Sequence, residues 1–264
     1  MVRYYNDNQI PLASAALCYY MMMTVFPLII CLYTLLGKNY DRAVSVLRFA
    51  EGFLSHDTIQ DIDAFLAYVA RNHSSAMFYA GITVLLTSAS AGIRSMQVTI
   101  GRMQGGQRYP GLGGFLFSLV FSVVFLAAIW FAIMVMFTSR DLLSLLNEKL
   151  PFVDISGGWG WMKYLLLAGI LFLLLWGIYR ISRKKRLRYS TWPGAIFATL
   201  GTVGMSRLFS VIISASARYS LVYGSLASVI LLMLWMFFSC QIIYIGAAFN
   251  LSLRYLKKRE CVAP

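Results

Sequence analysis

Acidic side chains are scarce in this sequence, with ten Asp and Glu against 23 Lys and Arg in 264 residues. Charged residues of both signs make up only 12%, whereas 59% are hydrophobic and the mean hydropathy is +0.70. A soluble domain of this length holds a large core, but not at that hydrophobicity with apolar runs of membrane-spanning length. Histidine occurs twice, at His56 and His73, without metal-ligand spacing to each other or to a cysteine, which argues against a zinc site. Of four cysteines, Cys18, Cys31 and Cys240 lie in apolar runs and Cys261 in a basic tail, so no extracytoplasmic disulfide framework is available. No phosphate-cradling glycine loop follows a strand, and Gly105-Gly106 falls in a basic turn. No nucleophile has an identifiable base partner. The sequence therefore predicts no catalytic residue, no metal and no cofactor. With no RNA-binding module or basic stretch interleaved with aromatics, it also predicts no nucleic-acid partner for its net charge of +13.

What the chain does have is long apolar runs. Residues 12–36 carry no charge and are long enough to cross a bilayer core of roughly 30 Å with some tilt. Pro27, inside that run, frees a backbone carbonyl one turn earlier and marks a hinge. The polar start, 1–9, is not a signal-peptide n-region, and no small-residue cleavage site follows the first run. Further spans are expected at 76–100, 112–138, 162–179, 192–217 and 225–250. Between the first two, residues 41–72 place apolar side chains at helical spacing among charges, the pattern of short amphipathic helices lying on a membrane. The acids Asp57, Asp61 and Asp63 in that stretch read as a solvated helix face rather than a cation site. The expected fold is thus all-α, a single domain of six transmembrane helices plus an outer amphipathic segment.

Charge placement sets the orientation. With the amino terminus inside, the cytoplasmic segments hold Arg3, Arg102, Arg108, the basic block from Arg180 to Arg188, and Arg254, Lys257, Lys258 and Arg259, against two acids, Asp7 and Glu260. The outer segments balance eight basic residues with eight acids. By the positive-inside rule both termini face the cytoplasm. The basic blocks need no other role than topology and contact with anionic lipid headgroups.

Two arginines fall within the spans, Arg94 and Arg207. A guanidinium in hydrocarbon costs roughly 2.5–3.5 kcal/mol on insertion scales, so it persists where it faces protein, water or an anion. Thr83, Thr87, Ser90, Arg94 and Gln97 recur every three to four residues and share one helical stripe. Gly204, Ser210 and Ser214 lie near Arg207. Packing against backbone carbonyls or snorkelling to headgroups accounts for such arginines too, and hydroxyl stripes commonly join transmembrane helices. Three spans precede the 139–161 loop and three follow it, so the halves are inverted, with an arginine late in the middle helix of each. That is a transporter theme, although the halves show no residue-by-residue similarity.

Two segments carry a family resemblance. Ala16-Leu17-Cys18-Tyr19-Tyr20 through Val25-Phe26-Pro27-Leu28 is similar to the opening motif of the YihY/BrkB family of bacterial inner-membrane proteins. Tyr219 and Tyr223-Gly224-Ser225-Leu226-Ala227-Ser228-Val229, then Leu234-Trp235 and Gly246-Ala247-Ala248-Phe249-Asn250, resemble its ending. Pro193-Gly194-Ala195 also fits the start of its fifth helix. The resemblance implies a six-helix inner-membrane protein of a family tied to virulence, the envelope and transport. It was once labelled ribonuclease BN, which these residues do not support. Where the family often has Glu, this chain has Ala248, so a carboxylate relay at that point is absent.

The leading expectation is a transporter or lipid-translocating protein for an anionic lipid, amphiphile or small organic anion. Arg207 and Arg94 hold the anion in a polar seam lined by Ser210, Ser214, Thr87, Ser90 and Gln97, with Pro27 as the hinge. The competing expectation is a non-transport envelope scaffold acting through 41–72.

Overall fold

The computed structural model describes residues 9–36, 75–104, 111–137, 159–183, 190–215 and 225–260. Six α-helices occupy them: α1 Ile10–Leu36, α2 Ser75–Met103, α3 Leu112–Phe137, α4 Trp159–Ser182, α5 Trp192–Ala215 and α6 Ser225–Glu260. The described residues contain no strand. Four of the helices hold stretches long and apolar enough to cross a membrane: Leu112–Ala132, Tyr164–Ser182, Trp192–Ile213 and Val229–Tyr255. Helix α1 has an apolar stretch at Ile10–Val25, and α2 is 29 residues long but diluted by Thr, Ser, Gly and Arg. The amphipathic segment expected at 41–72 lies outside the described residues.

Helix ends differ from the apolar spans in a systematic way. Helix α6 continues to Glu260 rather than stopping near 250, and α4 runs from Trp159 to Ser182 rather than 162–179. Hydropathy marks where a helix is apolar, whereas backbone hydrogen bonding continues through good helix formers such as the Leu, Arg, Lys and Glu of the α6 tail. Helix α1 passes unbroken through Pro27, whose missing N–H leaves the Met23 carbonyl without its usual donor.

The helices close into a ring that follows chain order. Each packs on its sequence neighbours, α6 returns to α1, and α2 also touches α4 and α6 across the middle. The starts of α1, α3 and α5 therefore meet the ends of α2, α4 and α6. That end carries Arg102, Arg180, Arg183 and Arg254 and is called the basic end below. Among the described residues, full burial is concentrated toward it. In α4 the buried residues are Leu175, Ile178, Tyr179 and Ser182, and in α6 they run from Met236 to Leu251. In the half of α5 beyond Thr199, Phe209 is the buried side chain among those described. Apolar exposure elsewhere is what lipid contact requires, because a helix that spans a membrane meets hydrocarbon rather than water.

Candidate functional site

The basic end is fastened by side chains of α4 and α6 that join three helices. Asn250, late in α6, accepts a hydrogen bond from the Gly194 N–H through Oδ1 (2.7 Å) and donates from Nδ2 to the Thr191 carbonyl (3.0 Å). Helix α5 begins at Trp192, and its first turn leaves backbone N–H groups without helical partners. Pro193 has none to satisfy, Gly194 is met by Asn250, and the Ala195 N–H bonds the Thr191 carbonyl. Asn250 is thus a helix cap supplied by a different helix.

That bond requires glycine. A Cβ on Gly194 would overlap the Gly246 carbonyl oxygen and the Asn250 amide. A Cβ on Gly246 would stand 2.7 Å from the Gly194 carbonyl oxygen and 3.0 Å from the Tyr179 hydroxyl. One at Gly201 would lie 2.7 Å from Ile242 Cγ2. Backbone contact at this range is the small-residue mode of membrane helix packing. Tyr179 of α4 donates its buried hydroxyl to the Ile243 carbonyl, tying in the third helix. Beside it Tyr244 is fully buried, its hydroxyl directed at Thr99 and Ser95 of α2 without reaching full hydrogen-bond geometry.

The α2 stripe divides by depth. Thr83 and Thr87 are exposed, and their hydroxyls bond back to the Tyr79 and Thr83 carbonyls of their own helix. Ser90 is buried and pairs with Ser118 of α3 at 3.0 Å. Arg94 donates from Nη1 to the Gly111 carbonyl at 3.2 Å, just before α3 begins. Gly111 has φ +69°, a backbone conformation open to glycine, and its carbonyl also accepts the Phe115 N–H. The Gln97 amide nitrogen is buried without a partner among the described residues. Arg94 therefore fastens a helix start, the backbone-capping role weighed against anion binding.

Arg207 is placed otherwise. It is exposed on α5, with its guanidinium carbon 5.5 Å from the centre of the Tyr164 ring of α4. Around it the exposed surface is apolar: Leu165, Leu208, Val211 and Ile212. Ser210 is exposed on the same helix, and the Ser214 side chain lies outside the description. The described helices contain a single acid, Glu260, at the basic end, so no carboxylate among the described residues lies near the level of Arg207. It lies six residues before the end of the apolar stretch Trp192–Ile213. At 1.5 Å per residue that is about 9 Å along the axis, a depth from which a guanidinium snorkels to headgroups. Arg94 and Arg207 belong to helices that are not neighbours in the ring. The structure does not bring them into one seam. Sequence reasoning missed Tyr164 as the arginine's partner, since nothing in a linear pattern pairs α4 with α5 at that level.

An all-helical ring with lipid-compatible exposed faces, a small-residue seam and almost no acid defines a polytopic helical membrane protein. The chain belongs to the family described as virulence factor BrkB, which it matches over residues 1–262. It is similar to YfkH of Bacillus subtilis, called a ribonuclease-like protein, at 25% identity over 93% of this chain and 90% of the relative. A UPF0761 membrane protein of Idiomarina loihiensis is 30% identical over 35% of this chain and 32% of its own length. Another, from Albidiferax ferrireducens, is 22% identical over 92% of this chain, which spans 58% of that longer protein. No solved structure matches. Among the described residues no group of three or more His, Cys, Asp or Glu converges as a metal site.

Proposed function

We propose that the chain crosses a bacterial inner membrane six times, with both termini cytoplasmic, and translocates an anionic lipid or related amphiphile. The single observation that carries this reading is Arg207: an exposed cation on an apolar face, stacked on an aromatic ring, with no acid at its level among the described residues. A phosphate arriving from the lipid phase supplies the missing counter-charge, and a guanidinium binds it through two parallel donors. Tyr164 holds the guanidinium flat and presents its own hydroxyl at the interface.

The amphiphile's headgroup travels along the α4–α5 surface rather than through an interior seam lined by both arginines. Its tails stay in the bilayer, so no sealed channel is required. The uneven burial of the described residues supports movement, because the fastened basic end serves as a pivot and fewer described side chains are buried in the half around Arg207. Pro27 of α1 supplies a second place to bend. The chemistry contains no covalent step, so the chain acts as a transporter rather than an enzyme.

The test is reconstitution of the purified protein in liposomes with phosphatidylglycerol labelled at the headgroup. The reading expects protein-dependent loss of leaflet asymmetry, faster than in empty liposomes and slowed by Arg207→Ala. Equal rates with and without protein would remove transport of this lipid class from the account.

A further inference from the structure

The exposed face of α5 that carries Arg207 has a notch in it. Val203 and Gly204 stand one turn before Arg207, Leu200 two turns before and Val211 one turn after, so all share one side of the helix. Each is exposed, Leu200 at 67% and Val211 at 65%. At Gly204 this face has no side chain, and a Cβ built there meets nothing within 4 Å among the described residues. Gly194, Gly201 and Gly246 differ, since each is held in close contact with a facing helix. A glycine inside a helix costs stability relative to alanine, and no helix contact among the described residues requires this one. Gly204 precedes the end of the apolar stretch Trp192–Ile213 by about 13.5 Å along the axis, near the middle of a bilayer core of roughly 30 Å. The Arg207 guanidinium lies further out, because its ring partner Tyr164 is the first residue of the apolar stretch of α4, at the end away from the basic end.

We propose that Gly204 seats a hydrocarbon chain of the lipid whose phosphate Arg207 binds, which makes the site selective for phosphates that carry a chain of membrane length. This inference rests on the reading of Arg207 as a phosphate site. A headgroup held beside Tyr164 directs its chains toward the bilayer centre, along α5 past the Arg207 stem to Gly204. Moving a chain from lipid onto a membrane helix brings no hydrophobic gain, so the chain is held by van der Waals packing. A face of Leu and Val with a gap between them offers that packing on three sides, from Leu200, Val203 and the exposed backbone of Gly204. A soluble phosphate or a short-chain ester meets Arg207 and does not reach the notch. Glycine is also frequent in membrane helices without binding anything. What separates Gly204 is its place one turn from a cation with no acid at its level among the described residues, on the path that a bound lipid's chain takes.

The experiment is photo-crosslinking of the purified full chain in nanodiscs of neutral lipid that contain a small fraction of phosphatidylglycerol with a diazirine in the distal half of one chain. Adducts are mapped by peptide mass spectrometry. The expected result is enrichment of adducts on residues 200–204 of α5 over the lipid-facing residues of the other helices. Diacylglycerol with the same diazirine chain, which lacks the phosphate, should show no such enrichment, and Arg207→Ala should lose it. Gly204→Leu fills the notch and should lose the adducts on 200–204 while still binding phosphatidylglycerol in preference to diacylglycerol. Gly204→Ala should lose them in part. Neither substitution should lower the unfolding curve, because the added side chain meets open space and both residues favour the helix over glycine. Adducts that depend on Arg207 but fall elsewhere, or that persist on 200–204 in a folded Gly204→Leu protein, overturn the role of Gly204 and leave the phosphate site standing. Equal enrichment with diacylglycerol, or with Arg207→Ala, removes the phosphate site and this inference with it.

Discussion

The side-chain amide of Asn250 bonds the Gly194 N–H and the Thr191 carbonyl at once, so the end of α6 caps the start of α5. Both atoms of that amide are used, and the backbone groups they meet are buried. The fifth and sixth helices are thereby held in one register at the basic end, with Tyr179 joining from α4.

Replacing Asn250 with Ala leaves the Gly194 N–H unpaired, while the Thr191 carbonyl keeps the Ala195 N–H. An unsatisfied buried group costs about 1–3 kcal/mol, so the variant should lose about that much stability. Thermal or denaturant unfolding of the purified protein in detergent reads this directly. A variant as stable as wild type would show that water or another side chain takes over the cap.

Gly246→Ala puts a methyl group 2.7 Å from the Gly194 carbonyl oxygen. Overpacking of this kind costs about 1–3 kcal/mol. Gly113→Ala meets nothing within 4 Å and should be neutral or stabilising by up to about 1 kcal/mol through helix propensity. Unfolding curves of the pair in one detergent should separate them; equal stabilities would contradict the close-contact seam.

Tyr179→Phe keeps the ring and removes the hydroxyl that meets the Ile243 carbonyl. That carbonyl keeps its place in the α6 helix, so the expected loss is one net hydrogen bond, about 0.5–1.5 kcal/mol. A loss several times larger would mean that the hydroxyl holds more than this contact.

Arg94→Ala removes the donor to Gly111. If that bond fastens the start of α3, the variant should be less stable yet should bind anionic lipid as well as wild type does. The comparison needs both an unfolding curve and a lipid-binding isotherm. Normal stability with weakened lipid binding would return Arg94 to the anion site.

Hydropathy made the apolar helices legible, because a bilayer imposes a length and an apolar composition on a helix that crosses it, and α2, diluted by Thr, Ser, Gly and Arg, fits that composition least. The capping residue was legible only as part of a motif: Gly246 to Asn250 and Pro193 to Ala195 stood out in the chain, but nothing linear says that they touch. The α2 stripe shows a related limit. Spacing of three and four residues aligns Thr83, Thr87, Ser90 and Arg94 on one helix, yet cannot say that the first two face outward and bond their own backbone while the third meets Ser118. Arg207 was found from composition, as a charge inside an apolar run. Its depth and its aromatic partner depend on how α5 packs on α4, and that is a tertiary fact.

Anionic-lipid affinity at Arg207 tests the central claim most directly. Purified wild type, Arg207→Lys and Arg207→Ala would be placed in nanodiscs of neutral lipid and titrated with phosphatidylglycerol. A lost charged hydrogen-bonded contact costs about 1.5–3 kcal/mol, or about ten- to a hundredfold in affinity. The account predicts that loss for Ala, an intermediate value for Lys because a point charge replaces the planar fork, and unfolding curves unchanged from wild type. A folded Arg207→Ala protein that binds phosphatidylglycerol as tightly as wild type would contradict it.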